Sequence, residues 1–191
     1  KEEDQILSRI KTTTTLEGFD SIDLVIEAID EDEELKVSVI KKLNAICKEM
    51  TVFATNTSTL SVSKLAAESK SPDKFIGMHF QPPVPKRPLV ELVRGLVTSD
   101  ETFTAVMEFT KALGKKTVEV YEWPGYVTTR VMLPIINEAS YALMENVASA
   151  KDIDMAMEAG CGLQKGPLHL ADEMGLDTVV FQLEHLFHEL G

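Results

Sequence analysis

Three side chains in the first half of the sequence could together move a proton: Ser58, His79 and Glu91. Each lies at or near the end of a short apolar run. An imidazole backed by a carboxylate, with a hydroxyl nearby, can take a proton from an alcohol or return one to a carbonyl. The carboxylate fixes the tautomer of the ring and raises the basicity of its second nitrogen. The three residues therefore predict a proton-transfer site.

Each of these residues also has an ordinary structural explanation. A single histidine is more often structural than catalytic, Ser58 could cap a helix, and Glu91 could be an exposed carboxylate. His79 lies at the end of a predicted strand, where open α/β sheets bind ligands. Glu91, which we place at the end of the next strand, is surrounded by apolar residues, and a carboxylate there needs a partner. The functional interpretation is the one we follow.

Composition excludes several classes of protein. The chain has 191 residues, 44% of them hydrophobic, and a net charge of −12, which argues against a nucleic-acid partner. Its two cysteines, Cys47 and Cys161, are too few for a disulfide scaffold or a zinc site, so we expect a cytoplasmic protein. The acidic run 30–34 lacks histidine or cysteine partners, and we predict no metal site. No apolar run approaches the roughly 18 residues of a membrane span.

The order of predicted elements indicates two domains. Up to residue 122, apolar runs and helical spacing alternate, which is typical of a mostly parallel, layered α/β sheet. Beyond Trp123 the patterns are helical only, starting with a long helix in which Pro134 predicts a kink. We therefore divide the chain into 1–122 and 123–191. The predicted strands are 23–29, 51–55, 74–80, 89–93 and 117–121, and the predicted helices include 32–48, 61–68, 100–113, 151–159, 167–174 and 176–189.

A dinucleotide-binding fold should open with Gly-x-Gly-x-x-Gly between its first strand and helix, and this sequence has no such motif. A parallel sheet also cannot begin with a single strand at residue 23, so we expect earlier strands in the natural protein. Asn56 alone suggests turn chemistry, and Glu31 and Lys36 alone suggest solvated surface.

Many short motifs follow one another in a set order along the chain. They are Asp23-Leu-Val-Ile-Glu-Ala-Ile, Asn56-Thr-Ser, Ile76-Gly-Met-His-Phe, Val84-Pro, Leu89-Val-Glu, Thr98-Ser, Ala112-Leu-Gly-Lys, Pro124-Gly-Tyr-Val, Asn137-Glu-Ala, Ala150-Lys-Asp-Ile-Asp, Gly166-Pro and Gly175-Leu-Asp-Thr. Each motif is weak by itself, but their shared order and spacing make a specific signal. Together they resemble the motifs of the NAD-dependent L-3-hydroxyacyl-CoA dehydrogenases, including the 3-hydroxybutyryl-CoA dehydrogenases.

The resemblance implies a fold, an activity and partners. The fold is a Rossmann-type NAD domain, incomplete because its first βαβ unit is missing, followed by an all-α domain for dimerisation and substrate binding. The chain is then truncated at both ends. The activity is oxidation of a 3-hydroxyacyl-CoA to the 3-oxoacyl-CoA with NAD, in fatty-acid or butanoate metabolism. We expect an acyl-CoA substrate, a homodimer, and neither a nucleic acid nor a membrane as partner.

The resemblance also assigns residues to roles. His79 corresponds to the catalytic base, Glu91 to its orienting carboxylate, and Ser58 to a hydroxyl that contacts both substrate and cofactor. The implied cofactor-binding residues are Glu31, Lys36, Asn56 and Ser58.

Two positions depart from the pattern of the family. Pro82 takes the place of an asparagine after the His-Phe segment, and Thr129 takes the place of another in the Pro-Gly segment that opens the long helix. We include Thr129 among the catalytic candidates. Two alternatives remain open: a dehydrogenase of a free 3-hydroxy acid, like those that act on gulonate or carnitine, and a non-catalytic homologue.

Overall fold

A five-stranded sheet forms the first part of the chain. The computed structural model describes residues 2–191, with side chains from residue 4 onward. Within them the strands pair in chain order: β1 (Leu24–Glu27), β2 (Val52–Thr55), β3 (Phe75–Phe80), β4 (Leu89–Arg94) and β5 (Lys116–Tyr121).

One strand pair in this sheet is antiparallel. β1 pairs with β2, β2 with β3 and β4 with β5 in parallel, whereas β3 and β4 run in opposite directions. The carboxyl ends of β1, β2 and β3 therefore share one edge of the sheet with the amino ends of β4 and β5. The placement of Glu91 at the end of its strand is thus wrong: Glu91 is the third residue of β4, and the reversed direction of that strand brings it to the edge where β3 ends.

Helices cover both faces of the sheet. Because successive strand residues point to opposite faces, the sheet contributes to two cores. On one face Val25 and Phe53 pack with α2 (Glu33–Ile46) and α3 (Val62–Ala67). On the other face Ile76 and Leu92 pack with α4 (Asp100–Ala112). A short α1 (Glu2–Leu7) precedes these elements.

Capping residues set where these helices begin. The Asp32 carboxylate accepts a hydrogen bond from the Leu35 backbone at 2.8 Å, and Ser61 and Ser99 cap α3 and α4 in the same way. A glycine allows β3 to pack closely, because a Cβ at Gly77 would lie 2.8 Å from the Cβ of Val93, its cross-strand partner. Side-chain caps therefore fix the starts of α2, α3 and α4, and Gly77 lets β3 pack closely against β4.

The second part of the chain is helical. It contains α5 (Thr128–Met144), α6 (Ala150–Met155) extended by a π-helical turn to Gly160, α7 (Pro167–Met174) and α8 (Leu176–Leu190). Leu133, Ala171 and Leu186 belong to its core. α5 runs through Pro134 as one helix, so the kink stays a prediction. Across the described chain, every helix is too short or too polar to cross a membrane.

The predicted fold class is confirmed: a Rossmann-type α/β sheet with flanking helices is followed by helices alone. Every strand and helix predicted from the sequence is present, with ends shifted by a few residues at most.

Candidate active site

His79 and Glu91 face each other directly across β3 and β4. His79 Nδ1 and Glu91 Oε2 are 2.7 Å apart. The two residues are 3% and 0% exposed, so water does not compete for this contact. Since an ionised carboxylate can only accept, we assign the Nδ1 hydrogen to this bond. The lone pair of the neutral ring is then on Nε2.

The first turn of α5 holds Glu91 in its ionised form. Glu91 Oε1 accepts hydrogen bonds from the backbone amides of Val127 (3.1 Å) and Thr128 (3.0 Å), and Oε2 accepts one from the Thr128 hydroxyl at 2.6 Å. Burial by itself would raise the pKa of Glu91, but the hydrogen bonds from His79 and Thr128 outweigh it and lower this pKa below its ordinary value. Glu91 is therefore a fixed negative charge behind the imidazole.

Three further residues contact the imidazole ring of His79. Ser58 Oγ lies 3.1 Å from His79 Nε2, and the Gln81 amide nitrogen lies 3.4 Å from the same atom. The Tyr126 ring packs edge-on, with its centroid 5.3 Å from that of His79. Burial raises the pKa of Tyr126, so its phenol stays neutral. Nε2 is therefore within reach of the Ser58 hydroxyl, and the Gln81 amide lies near both ring nitrogens.

A second carboxylate fixes the turn that carries Ser58. Glu31 Oε1 accepts hydrogen bonds from the Thr57 hydroxyl, from the Ser58 amide at 2.8 Å, and from the amide and hydroxyl of Thr59 at 3.0 Å each. Burial would raise the pKa of Glu31, but these bonds, with the charge of Lys36, lower it below its ordinary value. Glu31 therefore fixes the backbone of the turn from which the Ser58 hydroxyl reaches His79.

Lys36 lies beneath this turn and not in the open cleft. It is 1% exposed, and its ammonium contacts Glu27 Oε1 at 2.7 Å, the Ile29 carbonyl at 3.1 Å and Glu31 Oε2 at 3.5 Å. Glu27 Oε2 also accepts from the Thr55 hydroxyl at 2.7 Å. Two of these contacts are hydrogen bonds, and the third is an ion pair with Glu31. In this structure Lys36 acts on the cleft only through Glu31.

A cleft of about 430 Å³ opens beside Ser58, between the sheet edge and α8. Glu31, Asn56 and Ser58 line it from the sheet, and Phe181 and Gln182 line it from α8. Within the described chain, the buried oxygen Oε1 of Gln182 has no hydrogen-bond partner.

Two hydrogen bonds fix the walls of this cleft. Asn56 Oδ1 accepts from the Phe80 amide at 2.8 Å and so joins the ends of β2 and β3. His185 Nε2 lies 2.9 Å from the Thr59 carbonyl and holds α8 in place. The cleft is therefore bounded by fixed polar groups close to His79.

Most of the predicted site residues are neighbours in this structure. His79, Glu91 and Ser58 form one hydrogen-bonded chain, and Glu31 and Asn56 line the adjacent cleft. Thr129 is not brought to this chain: among described residues its side chain has no hydrogen-bond partner. Its role, like that of Lys36, stays a prediction.

Three residues of the site were not predicted from the sequence: Thr128, Gln81 and Gln182. Thr128 opens the long helix beside Thr129, and this position was the only feature of the sequence that could have identified it as a site residue. Gln81 directly follows the His-Phe segment, and its polar side chain near the predicted base could have indicated it. Gln182 is one of several polar residues of α8 and had no distinguishing signal.

Comparison with known families gives two adjoining matches. The model of the 3-hydroxyacyl-CoA dehydrogenase NAD binding domain matches residues 1–123, and the model of the C-terminal domain of the same enzymes matches residues 125–191. The chain belongs to the 3-hydroxyacyl-CoA dehydrogenase family. The resemblance inferred from the sequence is therefore confirmed, and the first match is to a domain that binds NAD.

Individual relatives agree with this family. The chain is 46% identical to the 3-hydroxybutyryl-CoA dehydrogenase of Clostridioides difficile, over 98% of this chain and 66% of the relative. It is 39% identical to the human mitochondrial hydroxyacyl-coenzyme A dehydrogenase, over 98% of this chain and 60% of the relative. The crystal structure of (S)-3-hydroxybutyryl-CoA dehydrogenase from Ralstonia eutropha superposes with a TM-score of 0.93 at 46% identity, covering 99% of this chain and 68% of that one.

The chain therefore spans just under two thirds of the C. difficile relative and less of the human one.

Proposed function

We propose that the protein containing this chain oxidises a 3-hydroxyacyl-CoA, such as 3-hydroxybutyryl-CoA, to the 3-oxoacyl-CoA with NAD, and catalyses the reverse reduction. The observation that carries the proposal is the buried His79–Glu91 pair, with its free nitrogen Nε2 directed towards Ser58 and beside a polar cleft. The names of the relatives supply the substrate class, a short-chain 3-hydroxyacyl thioester of coenzyme A.

His79 would act as the general base in oxidation. Its Nε2 lone pair takes the proton of the substrate hydroxyl as hydride leaves the same carbon, and in the reverse direction Nε2–H returns that proton to the carbonyl oxygen. Glu91 stabilises the imidazolium that forms, because its charge is fixed 2.7 Å from Nδ1. Ser58 lies close enough to Nε2 to donate a hydrogen bond to the same substrate oxygen.

NAD, when bound, supplies the hydride acceptor. The cleft fits its nicotinamide and ribose end, since the buried Gln182 Oε1 lacks a donor among the described residues and a carboxamide or a ribose hydroxyl offers one. Glu31, Asn56 and Ser58 would hold the cofactor there from the sheet side, with Lys36 supporting Glu31 from below. The site is then formed by both parts of the chain, the sheet domain 1–122 and the helical domain 123–191.

We also propose a cytoplasmic homodimer that pairs through the helical domain. Large apolar side chains are exposed on that domain, and contiguous exposed apolar surface often marks a site where proteins associate. They are Tyr141, Met144, Val147, Leu176, Val180 and Phe187. The cytoplasmic assignment is supported by the two cysteines, both of which are free thiols.

An initial-rate assay of the full-length protein tests the proposed activity. Acetoacetyl-CoA with NADH should be turned over, and free acetoacetate with NADH should not. Turnover of the free acid alone would favour a dehydrogenase of free 3-hydroxy acids, and the absence of turnover with either compound would favour a non-catalytic homologue.

A further inference from the structure

Gln81 presents a second polar group to the catalytic base. Its side-chain nitrogen Nε2 lies 3.2 Å from Nδ1 and 3.4 Å from Nε2 of His79, and 2.7 Å from the hydroxyl oxygen of Thr128. The residue is half-buried at the rim of the site, directly after β3. No step of the proton transfer described above uses it.

The hydrogen-bond network fixes which end of the Gln81 amide faces the histidine. The Thr128 hydroxyl has one hydrogen, which it donates to Glu91 Oε2 at 2.6 Å. Its oxygen must then accept the hydrogen bond from Gln81, which requires the NH₂ group at that position. Thr128 therefore aims the donor end of Gln81 at the ring.

One N–H of the Gln81 amide is then available to a ligand. A primary amide has two N–H groups, and Thr128 takes one of them. The second cannot bond to His79 Nδ1, because the hydrogen of Nδ1 is directed to Glu91. Its nitrogen lies 3.4 Å from Nε2, and in the imidazolium, where Nε2 also carries a hydrogen, the ring offers this N–H no acceptor. A substrate oxygen that binds at Nε2–H to receive the proton can then accept from it.

We propose that Gln81 is a catalytic residue whose free N–H donates a hydrogen bond to the substrate oxygen that also contacts His79 Nε2. This inference rests on the proposed function and adds one contact to it. In the reduction, bound NADH would supply a hydride to the carbonyl carbon and become NAD⁺. The π electrons would move to the oxygen, which Nε2–H of the imidazolium would protonate. The Gln81 amide stabilises the negative charge that develops on the oxygen during this step.

Kinetics of two Gln81 variants of the full-length protein test the proposal. Gln81→Leu removes both amide groups, and Gln81→Glu keeps the size of the side chain but replaces the donor with an acceptor. With acetoacetyl-CoA and NADH, both should lower kcat about 10- to 100-fold, since a donor to a developing oxyanion acts mainly in the transition state. The KM for acetoacetyl-CoA should change less than about threefold. The control is Gln164→Leu, because Gln164 is exposed in the loop before α7. A kcat within twofold of wild type for either Gln81 variant would overturn the proposal.

A measurement without substrate or cofactor separates this inference from the proposed function. This chain has four histidines, and the ring nitrogens of His79 can be followed by ¹⁵N NMR against those of the exposed His169 and His188. Gln81→Leu should shift the His79 signals and leave the other two in place. Unchanged His79 signals would overturn the contact whether or not the enzyme is active. A wild-type protein without turnover contradicts the proposed function, and a shift of the His79 signals would then still support the placement of Gln81.

Discussion

His79 and Glu91 are paired residues on the only antiparallel strand pair in the described sheet, and the 2.7 Å contact between their side chains follows from that register. Paired residues on neighbouring strands point to the same face and lie close together. The sheet backbone therefore sets the geometry of the base and its carboxylate before any ligand binds. Such preorganisation is what proton transfer at a fixed oxygen requires.

The carboxylate of Glu91 should set the pH range in which the enzyme works. Glu91→Gln replaces a negative charge with a neutral amide, which no longer favours the imidazolium form of His79. The acidic limb of the rate profile for oxidation should therefore move to lower pH. Turnover should also fall, because His79 Nδ1–H and the Thr128 hydroxyl both donate to Glu91 Oε2 and would meet an NH₂ group if the glutamine nitrogen takes that place. The measurement is kcat/KM against pH. A profile that stays in place would mean that Glu91 has only a structural role.

Two adjacent threonines provide a matched test of the site. Thr128→Val removes a hydroxyl that donates to Glu91 and accepts from Gln81, whereas Thr129→Val removes one that has no partner among the described residues. We expect Thr128→Val to lower kcat about tenfold, near the value of one hydrogen bond to a charged group, and Thr129→Val to stay within about twofold. Equal effects of the two changes would contradict the assignment of Thr128 to the catalytic pair.

Folding stability should depend on two carboxylates at low pH. The pKa values of Glu31 and Glu91 are lowered from the ordinary 4.5, so the folded state favours their ionised forms. Their contribution to the free energy of unfolding is fully present above about pH 4.5. It is lost as the pH falls below about 4.5 and passes through the lower pKa values that these carboxyls have in the folded state. Urea unfolding of the wild type should give a free energy that decreases in this range.

The Glu91→Gln variant separates the contribution of Glu91 to this pH dependence of stability from that of Glu31. The difference in unfolding free energy between wild type and Glu91→Gln should be largest near neutral pH and should narrow below about pH 4.5, because the wild-type carboxylate is then protonated. Glu108→Gln is the control, since Glu108 is exposed on α4. A constant difference at every pH would show that the charge of Glu91 does not stabilise the fold.

A charged residue introduced into the proposed interface tests whether the helical domains associate. Phe187 is 70% exposed on α8, so Phe187→Glu should leave the monomer folded and place a charge in the proposed interface. Sedimentation at micromolar concentration should show a dimer for the full-length wild type and a weaker dimer for this variant. A wild-type monomer would contradict the proposed homodimer.

The sequence predicted the strands and helices well because each has a local cause. Apolar runs mark the strands, and capping residues such as Ser61 mark where helices begin. The direction of β4 has no such local mark, and we assumed that Glu91 ends its strand. Yet the loop 81–88 is shorter than the dozen or so residues that a parallel crossover needs, and this length was a usable signal for a reversed strand.

Side-chain partners were harder to predict than elements. Successive helix residues point about 100° apart, so the sequence cannot decide whether Thr128 or Thr129 faces the base until the entry of α5 is known. Lys36 resembles a surface lysine in the sequence and is buried because Glu27, nine positions earlier on β1, supplies its counter-charge. Both outcomes depend on contacts between separate elements.

The central claim is that His79 exchanges the proton during hydride transfer, and a single substitution tests it most directly. In an assay of the full-length protein with acetoacetyl-CoA and NADH, His79→Gln should lower kcat by about 10² to 10⁴, the usual contribution of a positioned general acid or base. NADH affinity should stay nearly unchanged, because the proposed partner of Nε2 is the substrate oxygen and not the cofactor. His169→Gln, a change at an exposed histidine of α7, should retain the wild-type rate. A His79→Gln enzyme that keeps more than about a tenth of the wild-type kcat would contradict the account.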